Sequence, residues 1–198
     1  MLPNLRGLNM LGKGHDFQSI GRLLYPQLTE IYIVDASLGA LSLLPSLALW
    51  CPQLRELTMN LKLSKVPLTL PLLPPCGGAL FPSLQKLNIT TKIQYHTQFL
   101  QWCSKLALVK FTANCPFSTA DEVHHLFSAA SHGISHSSLT EFTFRNFSNS
   151  ADHLIQPIRP QSLRSLLHFH NLLSVSVLAV EIDLDDTTVV DMARLALH

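Results

Sequence analysis

The chain has 198 residues, of which 47% are hydrophobic and 14% carry a formal charge, and its net charge at pH 7 is +1. This composition excludes a disordered chain and is typical of one domain with a sizeable core. The basic residues are scattered and do not alternate with aromatic residues, so we expect no nucleic-acid partner. Prolines such as Pro45 and Pro67 interrupt the longest apolar runs, so we also expect no membrane-spanning segment.

One short motif recurs along the whole sequence. It is Pro-x-Φ-x-x-Φ-x-Φ, in which Φ is apolar, and three later copies lack the proline. The apolar residues of the copies are Leu5-Leu8-Met10, Leu28-Ile31-Ile33, Leu54-Leu57-Met59, Leu84-Leu87-Ile89, Leu106-Val109-Phe111, Leu139-Phe142-Phe144 and Leu172-Val175-Val177. From the first apolar residues, the intervals between copies are 23, 26, 30, 22, 33 and 33 residues. These lengths are typical of leucine-rich repeats.

The last two Φ positions of each copy are two residues apart, so on a short strand both side chains face the same way. One repeat cannot bury that face alone, but stacked repeats bury it in a shared core. We therefore predict one α/β leucine-rich-repeat domain over residues 1–198. It has about seven repeats, a parallel inner sheet, irregular helices and loops on the convex side, and two open ends. A generic α/β domain is the alternative.

The segments between the strands predict a mixture of helices and loops. Thr119-Ala-Asp-Glu122 matches a capping box, so we predict a helix from Thr119 to Ser131. The remaining predicted segments, in chain order, are a helix that Asp16 caps, a helical segment over Leu38–Trp50 interrupted by Pro45, an irregular loop between Met59 and Phe81, a helix over Gln94–Cys103, a loop over Ser148–Pro160, a short helix over Leu163–Phe169 and a final helix from Asp186.

The four cysteines form no CxxC pair, and the N-terminus lacks the pattern of a secretory signal. Cys51 and Cys103 each follow a tryptophan just before a predicted strand, where such repeats bury a small apolar side chain. We therefore predict reduced structural thiols, and a protein of the cytoplasm or nucleus.

Ten histidines raise the possibility of a metal or catalytic site. His124 and His125 are adjacent on a predicted helix and point about 100° apart, and no Cys or Asp lies beside them at ligand spacing. His132 and His136 flank Gly133, which predicts a loop. We expect structural or surface histidines, with no metal, cofactor or catalytic residue. An enzyme that uses this histidine-rich region remains an alternative.

An acidic cluster precedes the last predicted helix, at Glu181, Asp183, Asp185 and Asp186. It lacks the glycine and the terminal glutamate of a calcium loop. We interpret it as a group of carboxylates at a helix N-terminus, where negative charge is favourable.

The residues on either side of the middle Φ position should point outward from the concave face of the inner sheet. We expect this face to bind a protein partner, because the inner curve of a solenoid is a broad and rigid surface. Its predicted row has an acidic end and a basic middle. The candidate partner-binding residues are Glu30, Tyr32, Glu56, Thr58, Lys86, Asn88, Lys110, Glu141 and Thr143, and Gly7, Asn9, Leu108, Ser174 and Ser176 complete the row.

The C-terminal part also carries a family resemblance. Ser162-Leu-Arg-Ser-Leu-Leu-His-Phe-His-Asn-Leu172, then Val175-x-Val177 and Asp183-Leu-Asp-Asp-Thr-Thr-Val-Val-Asp-Met-Ala193, resembles the C-terminal repeats of F-box leucine-rich-repeat proteins from mushroom-forming fungi. The Pro-x-Leu-x-x-Leu copies are similar too, so the resemblance covers nearly the whole chain. In that family an F-box binds the Skp adaptor of a cullin-based ubiquitin ligase, and the repeats select the substrate.

The resemblance implies a substrate-recognition module without catalytic residues. The first residues already belong to a repeat strand, so we expect no F-box within the chain, and Skp binding would require an F-box encoded upstream. The chain also has Arg194-Leu-Ala-Leu-His198 where the family usually has Ala-Trp-Pro-x-Leu. The alternative is a free-standing leucine-rich-repeat scaffold, or a truncated copy, without a role in ubiquitin transfer.

Overall fold

The computed structural model describes residues 5–11, 25–36, 38–61, 80–103, 105–116, 118–146, 157–179 and 181–195. Seven strands form a single all-parallel sheet, and their order in the sheet is their order in the chain. The predicted α/β class and parallel sheet are therefore confirmed. The strands are β1 (Gly7–Leu11), β2 (Glu30–Ala36), β3 (Glu56–Leu61), β4 (Lys86–Thr90), β5 (Lys110–Asn114), β6 (Glu141–Arg145) and β7 (Ser174–Leu178).

Helical segments connect several of the strands. They are α1 (Leu44–Trp50), which follows a 3-10 segment at Leu38–Leu43, α2 (Ile93–Trp102), α3 (Ala120–Gly133), α4 (Pro160–Arg164), which continues into a 3-10 segment at Ser165–His168, and α5 (Asp186–Leu195). In the part of the chain that the structure describes, no helix is long and apolar enough to cross a membrane.

The predicted helix beginning after Thr119 is confirmed as α3, with its capping box. The Thr119 hydroxyl accepts a hydrogen bond from the Glu122 amide at 3.3 Å, and the Glu122 carboxylate accepts one from the Thr119 amide at 2.9 Å. These bonds satisfy two amides that the first turn leaves unpaired. His132 was predicted in a loop, and that prediction is wrong, because α3 continues to Gly133.

Three other segments follow the predictions closely, as α2, as the helical region that includes α4, and as α5. Pro45 does not interrupt the helical segment before β3 but lies in the first turn of α1, where a missing amide hydrogen costs nothing. The helix predicted after Asp16 and most of the loop predicted between Met59 and Phe81 lie outside the described residues, as do residues 148–156 of the loop predicted over Ser148–Pro160.

Equivalent residues of successive strands lie side by side. The pairing of β2 with β3 places Glu30 beside Glu56 and Ile31 beside Leu57. Strands β2 to β7 are also held at their starts. The amides of Thr29 and Glu30 both donate to the Arg6 carbonyl, at 2.8 and 3.1 Å, and the same pattern recurs up to β7. The repeat motif therefore sets the sheet register as well as the burial pattern.

One face of the sheet forms the core. The middle and last Φ residues of β2 to β6 are buried and share a hydrophobic cluster with residues of α1, α2 and α3. Phe127 of α3 packs nearly perpendicular to Phe142 and Phe144 of β6, with ring centroids 5.2 and 5.3 Å apart. Such edge-to-face pairs stabilise beyond the area they bury.

The fifth repeat is shifted by two residues from its predicted register. Phe111 pairs with Leu87, and Ala113 pairs with Ile89, so the copy is Leu108-Phe111-Ala113. Leu108 is fully buried, whereas Val109 is 40% exposed. The prediction that Leu108 points outward is wrong, because Leu106 and Leu108 each begin an apolar pattern and only the second one keeps the strands aligned.

Candidate functional site

The face of the sheet opposite the core is lined by three rows of side chains, and we call it the open face. The first row is Gly7, Glu30, Glu56, Lys86, Lys110, Glu141 and Ser174, and the second row is Asn9, Tyr32, Thr58, Asn88, Thr112, Thr143 and Ser176. The third row includes Asn60, Thr90, Asn114, Arg145 and Leu178. The open face is therefore mostly polar.

All nine predicted partner-binding residues lie on the open face. Lys110 belongs to the first row beside Lys86, and not to the second row where the predicted register placed it. Thr112 takes that second-row place. Sequence reasoning also missed the third row, although its members follow the last Φ position of each copy and could have been found by extending the alternation by one step.

The charges of the first row form short-range pairs. The Lys86 ammonium lies 3.4 Å from a Glu56 carboxylate oxygen, and the Lys110 ammonium lies 2.6 Å from a Glu141 carboxylate oxygen. Lys86 and Lys110 are neighbours across the sheet, and each has a glutamate on its other side. Because the Lys110–Glu141 side chains are about half exposed, at 46% and 48%, this pair adds little stability.

Tyr32 connects the first two rows. Its hydroxyl donates a hydrogen bond of 2.9 Å to Glu56, the carboxylate that also pairs with Lys86. This hydrogen bond is the main reason that the pKa of Tyr32 is raised above its ordinary value, with smaller contributions from burial and from the charge of Glu56. Glu56 on β3 thus contacts the Tyr32 hydroxyl from β2 and the Lys86 ammonium from β4.

Polar side chains are also linked near the carboxyl ends of β4 and β5. The Asn114 amide donates to Asn88 Oδ1 and to Thr90 Oγ1, both at 3.1 Å. Asn114 is only 8% exposed, and its own Oδ1 has no hydrogen-bond partner among the described residues. Asn114 therefore links side chains of the second and third rows on two neighbouring strands.

His96 of α2 lies next to this region and is 1% exposed. Burial lowers the pKa of His96 to about 4, although nearby backbone groups of Asn114 and Thr91 favour the charged ring. Neither ring nitrogen forms a hydrogen bond of good geometry with a described group. The backbone contacts are therefore weak, and desolvation controls the charge state of the ring.

The other histidines that the structure describes are not clustered as metal ligands would be. Within the described ranges, no three His, Cys, Asp or Glu side chains are grouped so that they could hold a metal ion. His124 and His125 are exposed on α3, with ring centroids 6.0 Å apart. His136 stacks on His168 at 5.7 Å, and a nitrogen of its ring donates to the Ser131 carbonyl at 2.6 Å.

Two members of the acidic cluster, Asp185 and Asp186, lie at the start of α5 as the sequence predicted. Asp185 accepts a hydrogen bond of 2.6 Å from the amide of Thr188 at the start of α5, and its carboxylate also pairs with Arg164 at 3.2 Å. A carboxylate in this position satisfies an amide that the helix leaves unpaired.

Three cysteines, Cys51, Cys103 and Cys115, are buried, and Cys51 and Cys115 are free thiols. Burial raises the pKa of the Cys51 thiol to about 11, which keeps it protonated and unreactive.

Comparison of the chain with protein-family models, with curated proteins and with solved structures finds no match.

Proposed function

We propose that the chain is a leucine-rich-repeat solenoid whose open face binds a protein partner. The strand order supports the solenoid, because it follows the sequence from β1 to β7 without a reversal. A doubly wound α/β sheet reverses its order at the switch point where ligands bind. The repeated hydrogen bonding at the strand starts supports the same architecture, since each repeat contacts the next one in the same way.

The observation that carries the binding proposal is the open face itself. Its three rows of aligned, mostly polar side chains belong to a sheet whose other face is buried against helices. A sheet of this breadth presents a fixed pattern of charge and hydrogen-bonding groups to a partner. Such patterns favour specificity and fast association more than raw affinity.

A photo-crosslinking amino acid placed at Thr58 tests this proposal. Thr58 lies in the second row of the open face, and exposed Gln98 on α2 provides the matched control position. We expect a discrete protein adduct from position 58 and none from position 98 when the chain is expressed in its native cell. Equal adducts from both positions, or none from position 58, would contradict the proposal.

Charge reversal at Glu56 or Lys86 then locates the contact. Either change, Glu56→Lys or Lys86→Glu, should lower the yield of the adduct at position 58. Neither change should unfold the protein, because the pair is partly exposed. Unchanged adducts with both variants would place the binding surface elsewhere on the chain.

We propose further that the partner is a substrate of an F-box type ubiquitin ligase. The support is the resemblance of residues 162–193, in which the apolar residues Leu163, Leu166 and Phe169 are all buried. Asn171 of the same stretch donates a hydrogen bond of 2.6 Å to the Ser137 carbonyl of the preceding repeat. The residues that carry the resemblance therefore pack in the core or bond to the preceding repeat, as residues of a repeat motif should.

Mapping the 5′ end of the transcript tests the ubiquitin role. An F-box encoded in frame upstream of Met1 would make the chain the recognition part of a ligase subunit that binds the Skp adaptor. A stop codon directly upstream would contradict that role and favour the free-standing scaffold or the truncated copy.

A further inference from the structure

A polar groove of about 630 Å³ lies along the starts of strands β1 to β4. Its lining combines first-row residues of the open face with the residue that precedes each strand, including Arg6 and Arg55. The groove thus continues the open face toward the amino ends of the strands. Its volume is within the range of sites that hold a ligand of moderate size.

Two guanidinium groups of this groove have no partner among the described residues. Arg6 and Arg55 use their backbone groups in the sheet, but neither side chain forms an ion pair or a hydrogen bond in that part of the chain. The third cation, Lys86, is already paired with Glu56. The groove therefore offers two free guanidinium groups, which match carboxylates with two parallel hydrogen bonds.

The other lining residues suit a peptide main chain. Gln27, Gln53 and Gln85 come from three neighbouring repeats, and each amide supplies both donors and acceptors, as peptide groups require. Gly7 leaves space at one end, because a Cβ added there would meet no atom within 4 Å.

The strand spacing sets the length of the ligand. Adjacent strands are about 4.8 Å apart, so the backbones of Arg6 and Arg55, two strands apart, are separated by about 10 Å. An extended peptide advances about 3.3 Å per residue. Two acidic residues two or three positions apart would therefore reach both guanidinium groups.

The anionic lining residues select against a polyanion. Glu30 has no ion-pair partner among the described residues and lies between the strands that carry Arg6 and Arg55. A continuous phosphate backbone would meet this carboxylate, whereas a peptide can place a neutral or basic residue there. Discrimination of this kind depends on such repulsive contacts.

We propose that this groove binds an extended acidic segment of the partner protein, with Arg6 and Arg55 each holding one carboxylate. The proposal rests on the protein-binding function of the open face and adds the chemistry of the bound segment. The two arginines act as specificity determinants, and Gly7 provides the space for the peptide.

Selection from a display library of random eight-residue peptides tests the proposal with the full chain. The library is selected against the wild type, the double variant Arg6→Gln/Arg55→Gln and the control variant Arg145→Gln, which removes an exposed cation of the open face outside the groove. We expect peptides with two spaced Asp or Glu residues from the wild type and the control, and loss of that motif with the double variant.

Affinities of the selected peptides, measured by fluorescence anisotropy, complete the test. Each single arginine variant should weaken the best peptide at least about tenfold, as expected for the loss of one charge-assisted pair. Gly7→Leu should block the groove, while Ser174→Leu, the first-row counterpart on β7, should not. Far-ultraviolet circular dichroism confirms that each variant is folded.

Several outcomes would overturn the proposal. They are peptides without acidic bias, acidic peptides that bind the double variant equally, no selected peptide, or oligouridine that binds as tightly as the peptides and with the same arginine dependence. In these cases a protein adduct at position 58 would still support the proposed function. Conversely, the absence of that adduct would contradict the proposed function whatever the library yields.

Discussion

The two faces of the same strands have opposite properties. In β6, Phe142 and Phe144 are fully buried against Phe127, whereas the alternating residues Glu141 and Thr143 face the open side. Two-residue alternation in one strand thus places one set of side chains in the core and the other on the open face. The difference teaches that the surface can change without loss of the fold, and mutations can test this separation.

The largest effect should come from the core face. Phe142→Ala should lower the free energy of unfolding by about 3 to 5 kcal/mol, because it leaves a cavity beside Phe127 and Phe111. The neighbouring Thr143→Ala should change it by less than about 0.5 kcal/mol. Urea denaturation measures both values, and similar losses for the two variants would break the comparison between the faces.

The shifted register of the fifth repeat makes a second matched pair. Leu108→Ala should cost about 2 to 5 kcal/mol, since Leu108 is fully buried. Val109→Ala should be nearly neutral, because Val109 is 40% exposed. The original register, in which Val109 was a core residue, predicts a large effect at Val109, so the ratio of the two denaturation results decides between the registers.

His96 should make stability depend on pH. Its folded pKa, about 4, lies below the ordinary value of 6.5, so the neutral ring favours the fold above pH 6.5 and this contribution is lost as the pH falls toward 4. We expect a loss of about 2 kcal/mol between about pH 7.5 and about pH 5 from this group. The loss should be absent in His96→Met, whatever the absolute stability of that variant.

The pH experiment needs a comparison with an exposed histidine, because other groups titrate in the same interval. His125→Met provides that control, since His125 is exposed on α3. If His96→Met and the wild type lost equal stability over the interval, the prediction that burial lowers the pKa of His96 would be contradicted.

The smallest effect should come from the first row of the open face. Glu56→Gln removes the negative charge of the carboxylate that accepts the hydrogen bond from the Tyr32 hydroxyl. The pKa of Tyr32 should therefore fall toward its ordinary value. The free energy of unfolding should change by less than about 1 kcal/mol, as for exposed ion pairs. Nuclear magnetic resonance of labelled tyrosine follows the titration, and Glu141→Gln, which has no tyrosine partner, should leave Tyr32 unchanged.

Much of this architecture could be predicted because one short motif controls both burial and register. The strands after Leu28, Leu54, Leu84, Leu139 and Leu172 lie in the predicted alignment. The fifth repeat failed because Leu106 and Leu108 both begin apolar patterns, and only cross-strand pairing separates them. The apolar pattern within one segment does not specify which residues of the neighbouring strand it pairs with.

The open-face residues could be predicted for the same reason, since alternation along a strand assigns each side chain to a face. The groove could not be predicted, because it joins residues of four repeats that are distant in the sequence. Nor could the links of Tyr32 and Lys86 to Glu56, since these depend on side-chain conformations across neighbouring strands.

The hydrogen bonds at the strand starts have a consequence for how such a chain can evolve. Each strand from β2 to β7 is fixed by two amides that donate to one carbonyl at the start of the preceding strand, whatever the length of the connection between them. Insertions or deletions in the connections therefore leave the spacing of the open-face side chains intact. Each row of the open face therefore keeps one side chain for every strand even where the connections differ in length, provided that their helices still cover the core.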